Sequence, residues 1–228
     1  MRLRFLLLLL GIALVILGAI YGAWCWFLVW PGVDFLILGT AHVVGGNHVF
    51  GKRTDGTLPL WSWLVFGPVH GYTLLVWHVI RVASREPAFN QVTNNLFVGR
   101  RLLPTEVPGD FANYVDLTAE LTEPAEVRRL SAYRNFPILD GSAPSPRALQ
   151  TMMASLPPGK TYVHCAQGHG RTGLFSLAWL LHTRAAQSVE DGMGQLRKAR
   201  PAVRLSCEQQ DCLEQYARLI SSKHHDQD

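Results

Sequence analysis

Charge is the first thing this sequence lacks. Lysine, arginine, aspartate and glutamate make up 17% of its 228 residues, well under the roughly 25% of an ordinary soluble chain. None of the four occurs from Phe5 to Val33. With 48% hydrophobic residues, full-length disorder is excluded. Cysteine is also scarce: Cys25, Cys165, Cys207 and Cys212 show neither metal-ligand spacing nor a small disulfide framework, which suits a reducing compartment for the soluble part. No internal repeat or low-complexity tract is present. No basic run or face stands out either, so the net charge of +4 is no argument for nucleic acid as a partner.

The charge-free run from Phe5 to Val33 exceeds the about 20 apolar residues that cross a bilayer core. A second charge-free stretch, Leu58 to Ile80, is weaker because it carries Gly67, Pro68, His70 and His78. All but one of the seven tryptophans precede residue 81. Trp24, Trp26 and Trp30 close the first run, and Trp61 and Trp63 open the second, as expected of helices meeting one interface. Arg2 and Arg4 precede the first run, and Arg81 and Arg85 follow the second, which places those ends in the cytoplasm. An external loop is then expected around residues 34–57, against which Lys52 and Arg53 count. The first run is too long for a signal peptide and lacks a small-x-small cleavage site. The expected organisation is a membrane anchor over 1–85, with transmembrane helices at about 5–28 and 58–80. A catalytic domain follows over 92–220, and then a flexible tail, SSKHHDQD, over 221–228. The anchor would sit in a plasma or inner membrane.

Beyond residue 81 the charges nearly balance and elements alternate. Short strands are predicted at 95–99, 112–118, 134–139 and 161–164. Helices are predicted from Pro124 through EVRRLSAY, from Ser145-Pro146 through RALQTMMASL, over LFSLAWLLHT, and around 188–199 and 207–221. Ser145 as N-cap with proline at the first helical position is the strongest of these starts. Strands alternating with helices predict an α/β domain with a mainly parallel sheet.

One string carries chemistry: His164-Cys165-Ala166-Gln167-Gly168-His169-Gly170-Arg171-Thr172-Gly173, between a predicted strand and a predicted helix. Backbone N–H groups of a glycine-permitted loop converge on phosphate oxygens, and the helix N-terminus adds positive potential. Arg171 offers a planar fork that grips two phosphate oxygens. The same field favours the Cys165 thiolate, the nucleophilic form.

The string resembles the signature of the cysteine-dependent protein tyrosine and dual-specificity phosphatases: His-Cys, five residues, then Arg-Ser/Thr. The resemblance runs from about residue 92 to 219. Asn95-Leu96-Phe97-Val98-Gly99 looks like the family's opening strand, Tyr114-Val115-Asp116-Leu117-Thr118 like its second core strand, and Asp140 falls where the family carries its general acid. The first 90 residues have no counterpart in the minimal catalytic domain. What the resemblance implies is a dual-specificity-phosphatase-like fold, preceded here by a helical hairpin, and hydrolysis through a phosphocysteine without metal or organic cofactor. Cys165 would be nucleophile and Asp140 acid then base. Ala166, Gln167, Gly168, His169, Gly170, Arg171 and Thr172 would bind phosphate. His164 would brace the loop, and Thr172 would hydrogen-bond the leaving sulfur.

Asp116 is the weaker rival acid, since it lies inside an apolar strand. Gln209 and Gln210 fall where some relatives place a water-positioning glutamine, although a plain helix surface is the simpler expectation. Cys207 and Cys212 could protect Cys165 by disulfide exchange, with ordinary packing favoured. The expected substrate is phosphotyrosine or phosphoserine/threonine in proteins. Only Tyr114 and Tyr133 are candidates for the stacking aromatic that a strict tyrosine phosphatase needs. The alternatives are a phospholipid headgroup phosphatase and an inactive phosphatase-like binding module. The presence of both Cys165 and Arg171 speaks against the last.

Overall fold

The long charge-free run does not form one helix; it turns back on itself. In the computed structural model, which describes residues 3–107 and 111–225, α1 (Leu3–Tyr21) stops at Gly22, whose φ of 56° lies in the left-handed region. After a 3-10 turn (Ala23–Leu28), α2 (Val29–Val44) returns alongside α1. Glycines let the two backbones approach. A Cβ on Gly11 would stand 2.8 Å from the Gly32 carbonyl oxygen, and one on Gly18 2.9 Å from that of Cys25. Small residues at such a seam allow the close van der Waals packing that joins apolar helices. The stretches Leu3–Tyr21 and Trp24–Val44 are each long and apolar enough to cross a membrane, by length and composition.

The second leg of the hairpin is therefore Val29–Val44 and not the expected helix at 58–80. The charge-free run holds more residues than one crossing needs, so its surplus begins the return helix. Asp34, which ends the run in sequence, is buried on α2. The 58–80 segment breaks at Gly67-Pro68 into α3 (Leu60–Val65) and α4 (Gly67–Ala83). Proline lacks the N–H needed to continue a helix but suits the first turn of a new one. α4 turns Trp77 inward, with the Arg101 and Arg81 guanidinium carbons 4.8 and 5.6 Å from the ring centroid. Tyr72, Leu75, Val79 and Val82 lie exposed on its other side.

The segment expected as an external loop instead lies against the α/β domain. Lys52 is buried, and its Nζ donates to Asp116 Oδ2 at 2.5 Å, to the Thr118 carbonyl at 2.8 Å and to Thr118 Oγ1 at 2.9 Å. A buried carboxylate needs a counter-charge, and this segment supplies it.

Five strands form one sheet in the described residues, in the order β1-β2-β5-β3-β4. β2 (Leu96–Arg100), β3 (Asn113–Thr118), β4 (Tyr133–Ile138) and β5 (Thr161–Cys165) are the predicted ones and run parallel. β1 (Phe89–Thr93) pairs antiparallel with β2. It is an addition to the predicted strands, because Asn90 and Gln91 interrupt its apolar pattern. The predicted helix after Pro124 is one turn only, α5 (Ala125–Arg128), since β4 begins at Tyr133. α6 (Pro146–Ser155) starts as expected, with Ser145 Oγ accepting from the Ala148 N–H at 3.2 Å. α7 (Gly170–His182), α8 (Val189–Ala199) and α9 (Cys207–His225) complete the domain. The tail expected from Ser221 continues α9 to His225; residues 226–228, like Arg2, lie outside the described residues.

One face of the sheet packs Leu96, Val98, Val115, Leu117 and Val163 against α7 and α9, including Leu177 and Tyr216. A second cluster gathers Leu102, Tyr114, Val127, Tyr133 and Tyr162. A third joins the two regions: Leu38 and Ala41 of α2 pack with Phe50, Phe66, Ala119 and Leu139. Ala119 and Leu139 stand at the C-terminal ends of β3 and β4, the edge where parallel α/β sheets present their sites.

Candidate active site

β5 ends at Cys165, and the chain loops to the first turn of α7 at Gly170. Gly168 has a φ of 77°, and a Cβ there would collide with the Gly99 carbonyl, so no other residue fits without strain. The loop carbonyls are tied away from the sulfur. Arg200 donates from Nε to the Gly168 carbonyl and from an Nη to that of Gln167, each at 2.9 Å. The Arg101 N–H reaches the Ala166 carbonyl at 3.3 Å. In a trans peptide the N–H points opposite the carbonyl, so the following amides turn inward. The Gly168 N–H indeed donates to Cys165 Sγ at 3.2 Å.

Arg171 is 2% exposed. Its two terminal nitrogens donate to both Glu120 oxygens at 2.8 and 2.7 Å, and one also to the Ile138 carbonyl at 3.0 Å. Burial works against its charge, but Glu120 and then Asp140 outweigh it and hold the guanidinium above its ordinary value. Asp140 lies on the loop after β4 with its side chain 81% exposed and Oδ1 3.2 Å from Arg171 Nε. Cys165, Arg171 and Asp140 are thus brought together.

Asp116 lies elsewhere, fully buried beneath the loop. It accepts from Lys52, Tyr133 Oη at 2.8 Å, and the Thr118 N–H and hydroxyl at 2.8 and 2.7 Å. Burial would raise its pKa, but Lys52 and His164 bring it down to about 2. Such a permanently ionised group has no proton to give. His164 is buried against the Tyr162 and Tyr114 rings. Desolvation outweighs the pull of Asp116 and lowers its pKa to about 4, so it stays neutral, with Nδ1 3.4 Å from the Cys165 carbonyl oxygen. Asp116, Glu123 and His164 offer ligand atoms within 4.8 Å of one another. Lys52 and Arg101, the latter 2.9 Å from Glu123, already supply the positive charge there.

His169 faces Glu86 Oε2 at 2.8 Å, and Glu86 also holds Arg200 at 3.1 Å. Thr172 Oγ1 is buried without a hydrogen-bond partner. Gln209 is not on a plain helix surface: it is 2% exposed and its amide reaches the Ser142 carbonyl at 3.1 Å, whereas Gln210 is exposed. Cys207 is exposed, and Cys212 is buried with Sγ 3.1 Å from the Pro144 carbonyl oxygen, its thiol pushed by burial up to about 11. Tyr114 and Tyr133 are both buried and offer no stacking surface. Glu120, Arg200 and Glu86 are absent from the sequence-based expectations, and Lys52 figures there only as a charge in the expected external loop. Glu120 had a usable signal, an acid two residues beyond the C-terminal end of a buried strand. Arg200, Glu86 and Lys52 act from distant segments and had none.

No protein family model matches the chain. Putative tyrosine phosphatase 067L of Invertebrate iridescent virus 3 is 36% identical over 81 residues, which are 31% of this chain and 34% of the viral protein. The match thus spans about a third of that relative. Among solved structures, Tk-PTP in its active form is 25% identical with a TM-score of 0.52, over 58% of this chain and 97% of its own. A point variant of human DUSP28 shares the fold at 18% identity and TM-score 0.51, over 60% of this chain and 99% of its own. With the fold and the loop together, the α/β domain resembles the cysteine-dependent protein tyrosine and dual-specificity phosphatases, to which the chain is similar in sequence over those 81 residues and in fold.

Proposed function

We propose that this protein is a membrane-anchored phosphomonoesterase acting on phosphotyrosine or phosphoserine/threonine in proteins through a phosphocysteine intermediate. The observation that carries this reading is the loop whose carbonyls are pulled back by Arg200 and Arg101 while the Gly168 N–H meets Cys165 Sγ. Cys165 Sγ attacks phosphorus as the ester P–O bond breaks, and protonated Asp140 gives its proton to the departing oxygen. Ionised Asp140 then takes a proton from water, whose oxygen displaces the sulfur, with the unpartnered Thr172 hydroxyl placed to hydrogen-bond it. Arg171, clamped by Glu120, and the loop amides, with the Gly168 N–H turned toward the sulfur, stabilise the charge on the transferring phosphoryl group. The domain's 92–220 span is the catalytic unit.

The membrane reading rests on where apolar side chains are exposed: every exposed large hydrophobic among the described residues lies between Leu3 and Val82. The outward face of α4 continues the apolar surface of α1 and α2. Leu3 at the start of α1 stands beside Gly141, and the end of α2 lies on the α/β domain. Both ends of the hairpin are therefore on the side of the catalytic domain, and its turn at 23–28 is on the other. The arginines that flank the apolar segments support the domain's side as the cytoplasmic one.

The nearness of α1 to the Asp140 loop supports a second reading, hydrolysis of a phospholipid headgroup. The test is to compare the full chain with Cys165→Ser on 4-nitrophenyl phosphate, then on phosphotyrosine peptides and on micellar phosphatidylglycerophosphate. Loss of turnover in the serine variant is expected, with peptides preferred; equal turnover by both proteins would sink the mechanism. Preference for the micellar substrate would establish the second reading.

A further inference from the structure

Asp140 sits on an exposed loop between β4 and α6, yet its carboxylate is placed against Arg171. Gly141 has a φ of 77°, so the loop turns sharply just beyond the acid. Part of what holds it comes from outside the phosphatase-like domain. Asn47, in the turn after α2, accepts the Leu139 N–H at 2.9 Å with Oδ1, and the Ser142 hydroxyl lies 2.8 Å from the same oxygen. Its Nδ2 donates to the Ala143 carbonyl at 3.3 Å. An amide side chain offers both an acceptor and donors, and Asn47 uses both to bridge residues on either side of Asp140. Within the loop, the Ser142 N–H and hydroxyl also reach the Leu139 carbonyl at 3.0 and 2.8 Å. From the α/β domain, Arg171 holds the Ile138 carbonyl at 3.0 Å, Ser206 Oγ the Gly141 carbonyl at 3.1 Å, and Gln209 that of Ser142. Asn47 is itself fixed, since its N–H donates to the Gly45 carbonyl at 3.0 Å, where Gly45 ends α2 in the left-handed conformation.

The geometry points to Asn47 as the positioning residue of the general-acid loop: the end of the hairpin latches Leu139 and Ala143 and thereby sets where Asp140 meets the leaving oxygen. This rests on the reading of Asp140 as the acid. It makes the N-terminal region part of the catalytic apparatus as well as an anchor. The solved phosphatases with this fold align with 58–60% of the chain, and Asn47 lies ahead of every strand of the sheet.

A misplaced acid has a signature that general destabilisation lacks. Proton donation matters most when the leaving group is poor, so losing it steepens the dependence of rate on leaving-group basicity. The experiment measures turnover of a series of aryl phosphates, from 4-nitrophenyl to phenyl phosphate, by the full chain in detergent micelles. Asn47→Ala is expected to lose at least about tenfold more rate on phenyl than on 4-nitrophenyl phosphate, within the range that general acids contribute. Asp140→Asn is expected to do the same, and the double variant to lose little further. Equal loss on all substrates, or no loss, in Asn47→Ala would overturn the latch. A flat series in Asp140→Asn would instead remove Asp140 as the acid, a separate failure. If Asn47→Ala does not fold, Asn47→Gln moves the amide by one methylene and is expected to steepen the series; a folded glutamine variant with a flat series is equally fatal.

Discussion

The first 83 residues and the α/β domain solve opposite problems with similar side chains. Leu75 and Val79 on α4 are left on the outside, whereas Leu177 and Leu180 on α7 are wholly buried. α1 and α2 pack through glycines; the domain packs through Leu, Val, Phe and Tyr. On the proposed membrane reading, the difference follows from the surroundings of each region. In water an apolar side chain is driven inward; against lipid no such drive exists, and close backbone contact takes over. Yet the two are not separate bodies. Lys52, Asn47, His70 and Glu86 all come from the first 90 residues, and each touches the catalytic domain. His70 Nδ1, for instance, lies 3.1 Å from the carbonyl oxygen of Glu120, the residue that clamps Arg171.

The strongest break of this comparison is at Lys52. Lys52→Met would leave Asp116 buried and unneutralised, and removing one partner of such a pair costs about 3–5 kcal/mol. Thermal unfolding of the full chain in micelles should show that loss; a midpoint unchanged by the substitution would mean the two regions are merely adjacent. Next comes the same substitution on each side of the divide. Leu177→Ala opens a cavity and should destabilise by about 2–5 kcal/mol, while Leu75→Ala should stay within about 0.5 kcal/mol. Similar effects at the two sites would remove the distinction between an outward and an inward apolar face.

A third test uses pH. The His164 pKa is lowered on folding from 6.5 to about 4. Between those values the unfolded chain binds the proton and the folded chain does not, so stability rises with pH there. The contribution is complete above pH 6.5 and is lost as pH falls toward 4, on the order of 3 kcal/mol. His164→Asn should flatten the stability curve between pH 6.5 and 4, and an unaltered curve would show that another group is responsible.

The parts of the site that were legible in the sequence are those whose geometry is local. The string from His164 to Gly173 reads as strand, loop and helix start from its own residues, even though Arg200 and Arg101 help hold the loop, and Ser145 caps α6 through a bond three residues away. Asp140 was legible through the resemblance, because it falls where the family carries its general acid. What stayed hidden depends on contacts between distant segments. Glu120 is 51 residues from Arg171, and Arg200 is 32 from Gly168. The hairpin was misread for a different reason. A residue count cannot say where an unbroken apolar run bends, and Asp34 resembled a loop boundary although it is buried within α2.

The bond between Lys52 and Asp116 also has an order in time. Lys52 precedes its partner by 64 residues, so it has left the ribosome, together with the hairpin that it follows, before β3 is made. When that strand emerges, the cation its carboxylate requires is already waiting. The chain thus builds the seat before the part that sits in it, and the catalytic domain is completed only on a hairpin already synthesised.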